Sequence, residues 1–447
     1  MASRTIDKYL SRHAEPEARA AGKFAGAAFG HALVVPAYGE AESLFSLLGS
    51  VPEGPAGPVA IVVVLNARKD SPPSVHEANA ATRERLARTL QTSAEISADP
   101  PIRTYSTAGG SLVLIDRAAT GRFLPEGQGV GLARKIGNDF VLALLASGKL
   151  ASSWIHNTDA DAMLPGDYFD QIADAGSAAA ALYVFEHRYD QQESVALAAR
   201  LYDISLRYYV LGLAWAGSPY AYESMGSCLA IAPAAYAAVR GFPKKNAAED
   251  FYVLNKLAKV GAVSRLAGKP VVLDGRVSDR VPFGTGRAVG DLVANPRRLE
   301  RFPLYHPLVF AHLAGWLEVL EAIARSGGAL DQPLNVLPQD NPFFRADLLE
   351  DALRRLGAFE AIREAASKSR DAETLRRHLH TWFDAFRTRK LIHSLRDGGL
   401  SSLPWREALA EAPFTNLSAS TEDDPEALRQ ALVAEERKLS ESPAGLG

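Results

Sequence analysis

Residues 31–40, HALVVPAYGE, and 59–67, VAIVVVLNA, decide how this chain folds. Both are short runs of Val, Leu, Ile and Ala that lack polar alternation and end at turn-forming residues. A strand with one solvated face alternates apolar and polar side chains, whereas a strand covered on both faces does not. The same texture recurs at SLVLIDR (111–117), SSWIHNTDAD (152–161), AALYVFEHR (180–188), SCLAIAP (227–233) and PVVLDGR (270–276). Between the runs lie segments with helical spacing: 41–50, 75–91, 132–148 and 247–261, the last two closing on a glycine stop signal. Strands alternating with helices predict an α/β fold, Rossmann-like, with a mostly parallel sheet flanked by helices.

After about Pro303 the strand signal fades, and apolar residues recur at three and four through 309–328, 344–366 and 373–397. Each such helix buries one face, so a C-terminal helical annex is expected. The predicted organisation is a helical extension at 1–30, the α/β domain at 31–302, a helical region at 303–415, and a solvated, partly disordered tail at 416–447. One-sided apolar faces need a partner surface, which leaves a homodimer open.

Bulk composition narrows the function. The chain has 447 residues, 47% hydrophobic and 23% charged, the profile of a soluble globular protein. A net charge of -3 argues against a nucleic-acid binder. One cysteine, Cys228, excludes an internal disulfide framework. The first residues carry charges throughout and no apolar core of a signal peptide, so a cytoplasmic location is expected. The uncharged stretches 208–222 and 302–317 fall short of the roughly 18 residues of a spanning helix, and a peripheral membrane contact stays open.

Ligands of open α/β sheets bind outside the carboxyl ends of the strands. Asp159 and Asp161 stand there, one residue apart, in NTDAD. Like charges at that spacing repel unless a cation sits between them. On an extended segment alternate side chains point the same way, so both carboxylates could approach one Mg²⁺ or Mn²⁺. A plain turn accounts for them equally well, because Asp and Asn favour strand exits. Pro36, Tyr38 and Glu40 follow the first run and could contact a nucleobase or ribose, or simply turn the chain into a helix. EGQGVGLARKIGNDF offers Gly127, Gly129 and Gly131, then Arg134 and Lys135, a combination suited to phosphate. It is no dinucleotide fingerprint, since Leu132 takes the place of the final glycine. His156 reads as core or as a support of the NTDAD loop, and Cys228 as core; Glu186, His187 and Arg188 follow a strand and could meet an acceptor or equally form a solvated loop; Tyr202, Tyr208, Tyr209 and Trp215 read as packing rather than a sugar platform.

Taken in order, VVPAYGE (34–40), GLARKIGND (131–139), NTDAD (157–161) and GSCLAIAPAAYAAVRGFPKKNAAEDFYVLNKLAKVG (226–261) resemble glycosyltransferases of the GT-A fold, family-2-like. The resemblance spans roughly residues 31–285. It implies a nucleoside-diphosphate sugar donor, a divalent metal, and transfer of a hexose to an acceptor hydroxyl on a small molecule, glycan or lipid-linked acceptor. Pro36, Tyr38 and Glu40 match the nucleoside loop, and Asn66 stands where the family usually has an acid near the base. Arg134 matches a donor-contacting position, and Asp159 and Asp161 match the metal-binding D-x-D. Glu249 and Asp250 match the acidic pair of which one member is the general base in inverting enzymes. Asp279 falls where relatives often carry a metal-binding histidine, and Arg276, Arg280 and Arg287 flank it on a lid-like loop facing the diphosphate or an anionic acceptor. A retaining enzyme acting on a small acidic acceptor, of the glucosyl-phosphoglycerate or mannosylglycerate synthase kind, and a sugar-nucleotide-binding module without turnover are the rival readings. A sugar nucleotidyltransferase lacks support, because no Gly-rich, Arg-containing loop follows the first strand.

Overall fold

In the computed structural model the two opening runs are adjacent strands, β1 (His31–Ala37) and β2 (Val59–Asn66), paired in parallel with every residue buried. The structure describes residues 2–24, 26, 28–189, 192–275, 277, 284–328, 344–416, 424–441 and 444–446. Ten further strands belong to the α/β part: β3 (Thr92–Ala98), β4 (Pro101–Thr107), β5 (Gly110–Arg117), β6 (Ile155–Asn157), β7 (Ala162–Met163), β8 (Ala180–Leu182), β9 (Phe185–Arg188), β10 (Leu229–Ile231), β11 (Val263–Arg265) and β12 (Val271–Asp274). Nine of the strands form one sheet in the order β11-β8-β10-β6-β1-β2-β5-β4-β3, and β7, β12 and β9 form a small second sheet. The centre, β6-β1-β2-β5, is parallel. Antiparallel strands sit on either side, β10 between β6 and β8, and β4 and β3 beyond β5.

The β3–β4 hairpin was not expected from the sequence. Four of the first five residues of β3 are exposed and its fifth is buried, so it shows no buried apolar run. The run at 180–188 divides at Tyr183 and Val184, β8 joining the large sheet and β9 the small one. Pro36 lies inside β1, buried and in register with Val64, rather than after the strand.

Helices α1 (Ala2–Arg12), α2 (Ser43–Ser50), α3 (Pro73–Thr89), α4 (Val130–Ala146), α5 (Glu193–Trp215), α6 (Pro233–Ala238) and α7 (Glu249–Leu257) are interleaved with these strands. The chain divides into two compact units, 1–190 with 224–287, and 191–223 with 288–447, so α5 belongs to the second. Helix α8 (Thr285–Val293) carries the chain from one to the other.

The second unit is helical, adding α9 (Pro296–Glu300), α10 (Leu308–Arg325), α11 (Ala346–Leu356), α12 (Ala358–Lys368), α13 (Ala372–Trp382), α14 (Ala385–Asp397), α15 (Trp405–Glu411) and α16 (Pro425–Lys438). Their apolar faces cover one another: Trp316, Leu320, Leu349, Leu353, Leu379 and Leu391 are buried. The tail helix α16 is not solvated throughout, because Leu428 and Leu432 stand at i and i+4 and are buried. It is fastened to α5 by the Arg200–Glu426 pair at 3.0 Å and by Arg207, which bonds Glu436 and lies 3.3 Å from Asp203. Among the described residues no helix is long and apolar enough to cross a membrane.

Candidate active site

The parallel register brings the carboxyl ends of β1, β2, β5 and β6 to one edge of the sheet. Asn66 ends β2 and is buried; its amide donates to Ala37 O at 2.9 Å and Val64 O at 3.2 Å. The carbonyl of Asn66 in turn accepts from Asn79 at 3.0 Å, and Asn79 Oδ1 accepts from the Gly39 N–H at 3.1 Å. This lattice fixes the loop after β1. In it Tyr38 donates to Ser71 Oγ at 3.0 Å, and Glu40 accepts from Ser43.

Asp159 follows β6 by two residues, and its position is set by a buried amide pair. Asn138 on α4 and Asn157 on β6 exchange side-chain hydrogen bonds at 2.7 and 3.2 Å. The segment beyond is turned rather than extended, since Ala162 N–H bonds back to Asp159 O at 3.2 Å. The expectation that alternation along an extended strand aims both acids at one point is therefore corrected: they sit on a turn and have separate surroundings. Asp159 engages Arg134. Asp161 lines a cleft of about 440 Å³ whose walls include Ser43, Ser46 and Ser50 of α2, Met163, Arg188 and Asp274. Arg188 in that cleft is paired with Asp274 at 2.6 Å.

Arg134 is the hinge of the arrangement. Only 2% exposed, its guanidinium donates through Nε to Glu249 Oε1 at 2.9 Å and through Nη2 to Asp159 Oδ1 at 2.6 Å. Three motifs far apart in sequence thus meet on one side chain. Gly226 makes room for it, because a Cβ there would lie 2.4 Å from Nη2. Burial opposes the arginine's charge, and the carboxylates of Asp159, Glu249 and Asp250 more than offset it.

Asp250 shares this cluster. Its Oδ2 accepts from Gly226 N–H at 3.0 Å and its Oδ1 from Phe251 N–H at 2.7 Å. Burial, then the neighbouring charge of Glu249, push its carboxyl up to about 7, with Arg134 pulling the other way. The turn that delivers the acidic pair is strained: Ala248, before α7, has a left-handed φ of 60°. A non-glycine residue in that region costs on the order of 1 kcal/mol and persists where the surroundings over-determine it.

Oxygen ligands suit Mg²⁺ or Mn²⁺, which commonly take one or two carboxylates and complete their shell with water and phosphate oxygens. Among the described residues no group of three or more His, Cys, Asp or Glu side chains could hold an ion. Asp161, and Asp159 through the Oδ2 that Arg134 leaves over, are the carboxylates of the D-x-D that could serve as such donors. Arg276, Asp279 and Arg280 lie outside the described residues; Arg287 is exposed at the start of α8.

The core assignments hold for two residues. His156 is fully buried, its Nδ1 is 2.7 Å from Tyr183 Oη, and burial pushes its imidazole down to about 3. Cys228 is buried and forms no disulfide. The sequence reading overlooked Asn138, Asn157, Gly226 and the serines of α2. Only Ser43, Ser46 and Ser50 left a signal, at i, i+3 and i+7 of one helix.

No family model matches this chain, and no curated protein matches its sequence. Solved structures resemble it loosely. S. aureus TarS 1-349 shares 14% identity at a TM-score of 0.33, covering 78% of this chain and 89% of that one. The same protein in complex with UDP-GlcNAc gives 12% and 0.32, covering 93% and 91%. Mannosyltransferase PcManGT from Pyrobaculum calidifontis, in complex with GDP-Man and Mn²⁺, gives 16% and 0.33, covering 86% and 97%.

Proposed function

We propose that this chain is a metal-dependent glycosyltransferase of GT-A type, moving a hexose from a nucleoside-diphosphate sugar to an acceptor hydroxyl with inversion. One observation carries the reading. A single buried arginine bonds both the D-x-D acid Asp159 and Glu249, whose neighbour is Asp250, so the residues suited to a donor and those suited to an acceptor share one cluster.

In this reading Asp250 is the general base. A base works best when its pKa lies near the working pH, and a carboxyl raised to about 7 meets that condition. The acceptor oxygen bonds to the anomeric carbon as the bond from that carbon to the diphosphate oxygen breaks. The acceptor proton passes to Asp250, and the bonding pair leaves with the diphosphate. A divalent ion, when bound, neutralises charge on that leaving group. Asp161 would hold it, with Asp159 beside it, while Arg134 keeps Asp159 and Glu249 in place. Tyr38 and Glu40 would contact the nucleoside from a loop braced by Asn66 and Asn79. Asn66 itself acts as a brace, its amide hydrogens already bonded to two carbonyls.

The cleft favours a neutral, hydroxylated group over an acidic one. Asp161 and Asp274 face it, and its cation Arg188 is already paired. Incubation with a panel of nucleotide sugars and Mn²⁺ tests the reading, the expected result being slow donor hydrolysis and faster turnover once an acceptor is supplied. Failure to bind or hydrolyse any nucleotide sugar would overturn it.

A further inference from the structure

The N-terminal helix sends a tyrosine into the α/β unit, and the residue it meets is a fully buried acid. Asp139 on α4 is 0% exposed. Its Oδ1 accepts from Tyr9 Oη at 2.6 Å and from Tyr236 Oη at 2.8 Å. Its Oδ2 accepts from Lys135 Nζ at 2.7 Å and from the Glu15 N–H at 2.8 Å. Lys135 Nζ also donates to Tyr9 Oη at 2.7 Å and to His13 O at 2.8 Å. A buried network whose members are all bonded fixes geometry, and opening one bond disturbs its neighbours.

Two routes lead from this network to the cluster around Asp250. The first is α4 itself, on which Lys135, held by the N-terminal segment, directly follows Arg134. The second is the chain after α6. Arg240 and Gly241 both take left-handed conformations, with φ of 64° and 68°. A Cβ on Gly241 would lie 2.5 Å from Tyr9 Oη and 2.8 Å from Tyr236 Oη, so the turn is pressed against both hydroxyls. Beyond it, Lys244 Nζ pairs with Glu15 Oε1 at 2.6 Å, and Lys245 O accepts from the Gly131 N–H at 3.0 Å. The segment ends at Ala248, the strained residue that launches Glu249 and Asp250.

We infer that the N-terminal segment, α1 and the turn after it, is a buttress of the active site, with Tyr9 and Glu15 as positioning residues for Arg134 and the Glu249–Asp250 turn. The inference rests on the proposed function for its kinetic consequence, but its structural part stands apart from it. Tyr9→Phe keeps the ring and removes the hydroxyl. Hydrogen exchange followed by mass spectrometry should show the amides of 240–250 exchanging about tenfold faster, with β1 and β2 unchanged. With a working donor and acceptor, kcat should fall about tenfold while the donor KM stays within about twofold, the pattern of a misplaced catalytic group. Glu15→Gln, which spares the core, should raise exchange over 240–250 about threefold. Should Tyr9→Phe fail to fold, Glu15→Gln decides. Unchanged exchange at 240–250 in a folded Tyr9→Phe, or in Glu15→Gln, overturns the buttress. A wild-type chain that turns over no nucleotide sugar would sink the transferase reading and leave the exchange result standing.

Discussion

Replacing Arg134 by methionine keeps much of the side-chain length and removes the charge that two carboxylates share. Breaking a buried ion pair by deleting one partner costs about 3–5 kcal/mol, because the other charge is left buried. The partners here differ. The Asp159 side chain is 39% exposed and can rehydrate, whereas that of Glu249 is 6% exposed and cannot. The low end applies, about 3 kcal/mol at pH 8. An orphaned carboxylate escapes by taking up a proton, which is easy near pH 5 and costly at pH 8. The folded variant then binds more protons than its unfolded chain, so its stability falls as pH rises through that range. The loss should shrink to about 1 kcal/mol at pH 5. The amides of β1 and β2 report the opening of the α/β unit, and comparison with wild type at each pH cancels the intrinsic exchange rate. Their exchange should be faster by roughly 150-fold at pH 8 and about fivefold at pH 5. A ratio below about fivefold at pH 8, or one that does not change with pH, would refute the view of Arg134 as the clamp between these acids.

Asp250→Asn should abolish transfer yet leave nucleotide affinity intact, since a base acts on the acceptor; calorimetry showing affinity lost as severely as activity would count against that role. Asp161→Asn should remove most activity and weaken Mn²⁺ binding in the presence of nucleotide, with little loss of stability because the side chain lines an open cleft. A base must be ionised to act, so kcat/KM should rise with pH and level off above a midpoint near 7, where burial and Glu249 place Asp250. Glu249→Gln removes the repelling neighbour and should move that midpoint to lower pH; an unmoved midpoint would assign the profile to another group.

The strands buried on both faces were legible because an unbroken apolar run has few other uses: β1, β2 and the core of β5 lie where HALVVPA, VAIVVVLN and SLVLIDR stand. The β3–β4 hairpin was not, since an exposed edge strand such as TSAEISA carries no hydrophobic signature. The tail helix was misjudged through its charges. Glu426 and Glu436 pair across to α5, and two leucines one turn apart stand in its buried stripe. At the site, the motifs announced which residues matter but not what they touch. Two acids one residue apart asked for a cation. For Asp159 the protein itself supplies one, from a helix 25 positions earlier in the chain. That partner was visible as GLARK, but its reach depends on Asn138 meeting Asn157, which no periodicity records. Arg134 engages one oxygen of Asp159, while Asp161 lines the cleft, so the two aspartates of one motif should differ under mutation. Asp159→Asn should be felt mainly through Arg134 and Glu249, with a smaller loss of Mn²⁺ affinity, and Asp161→Asn mainly through the metal.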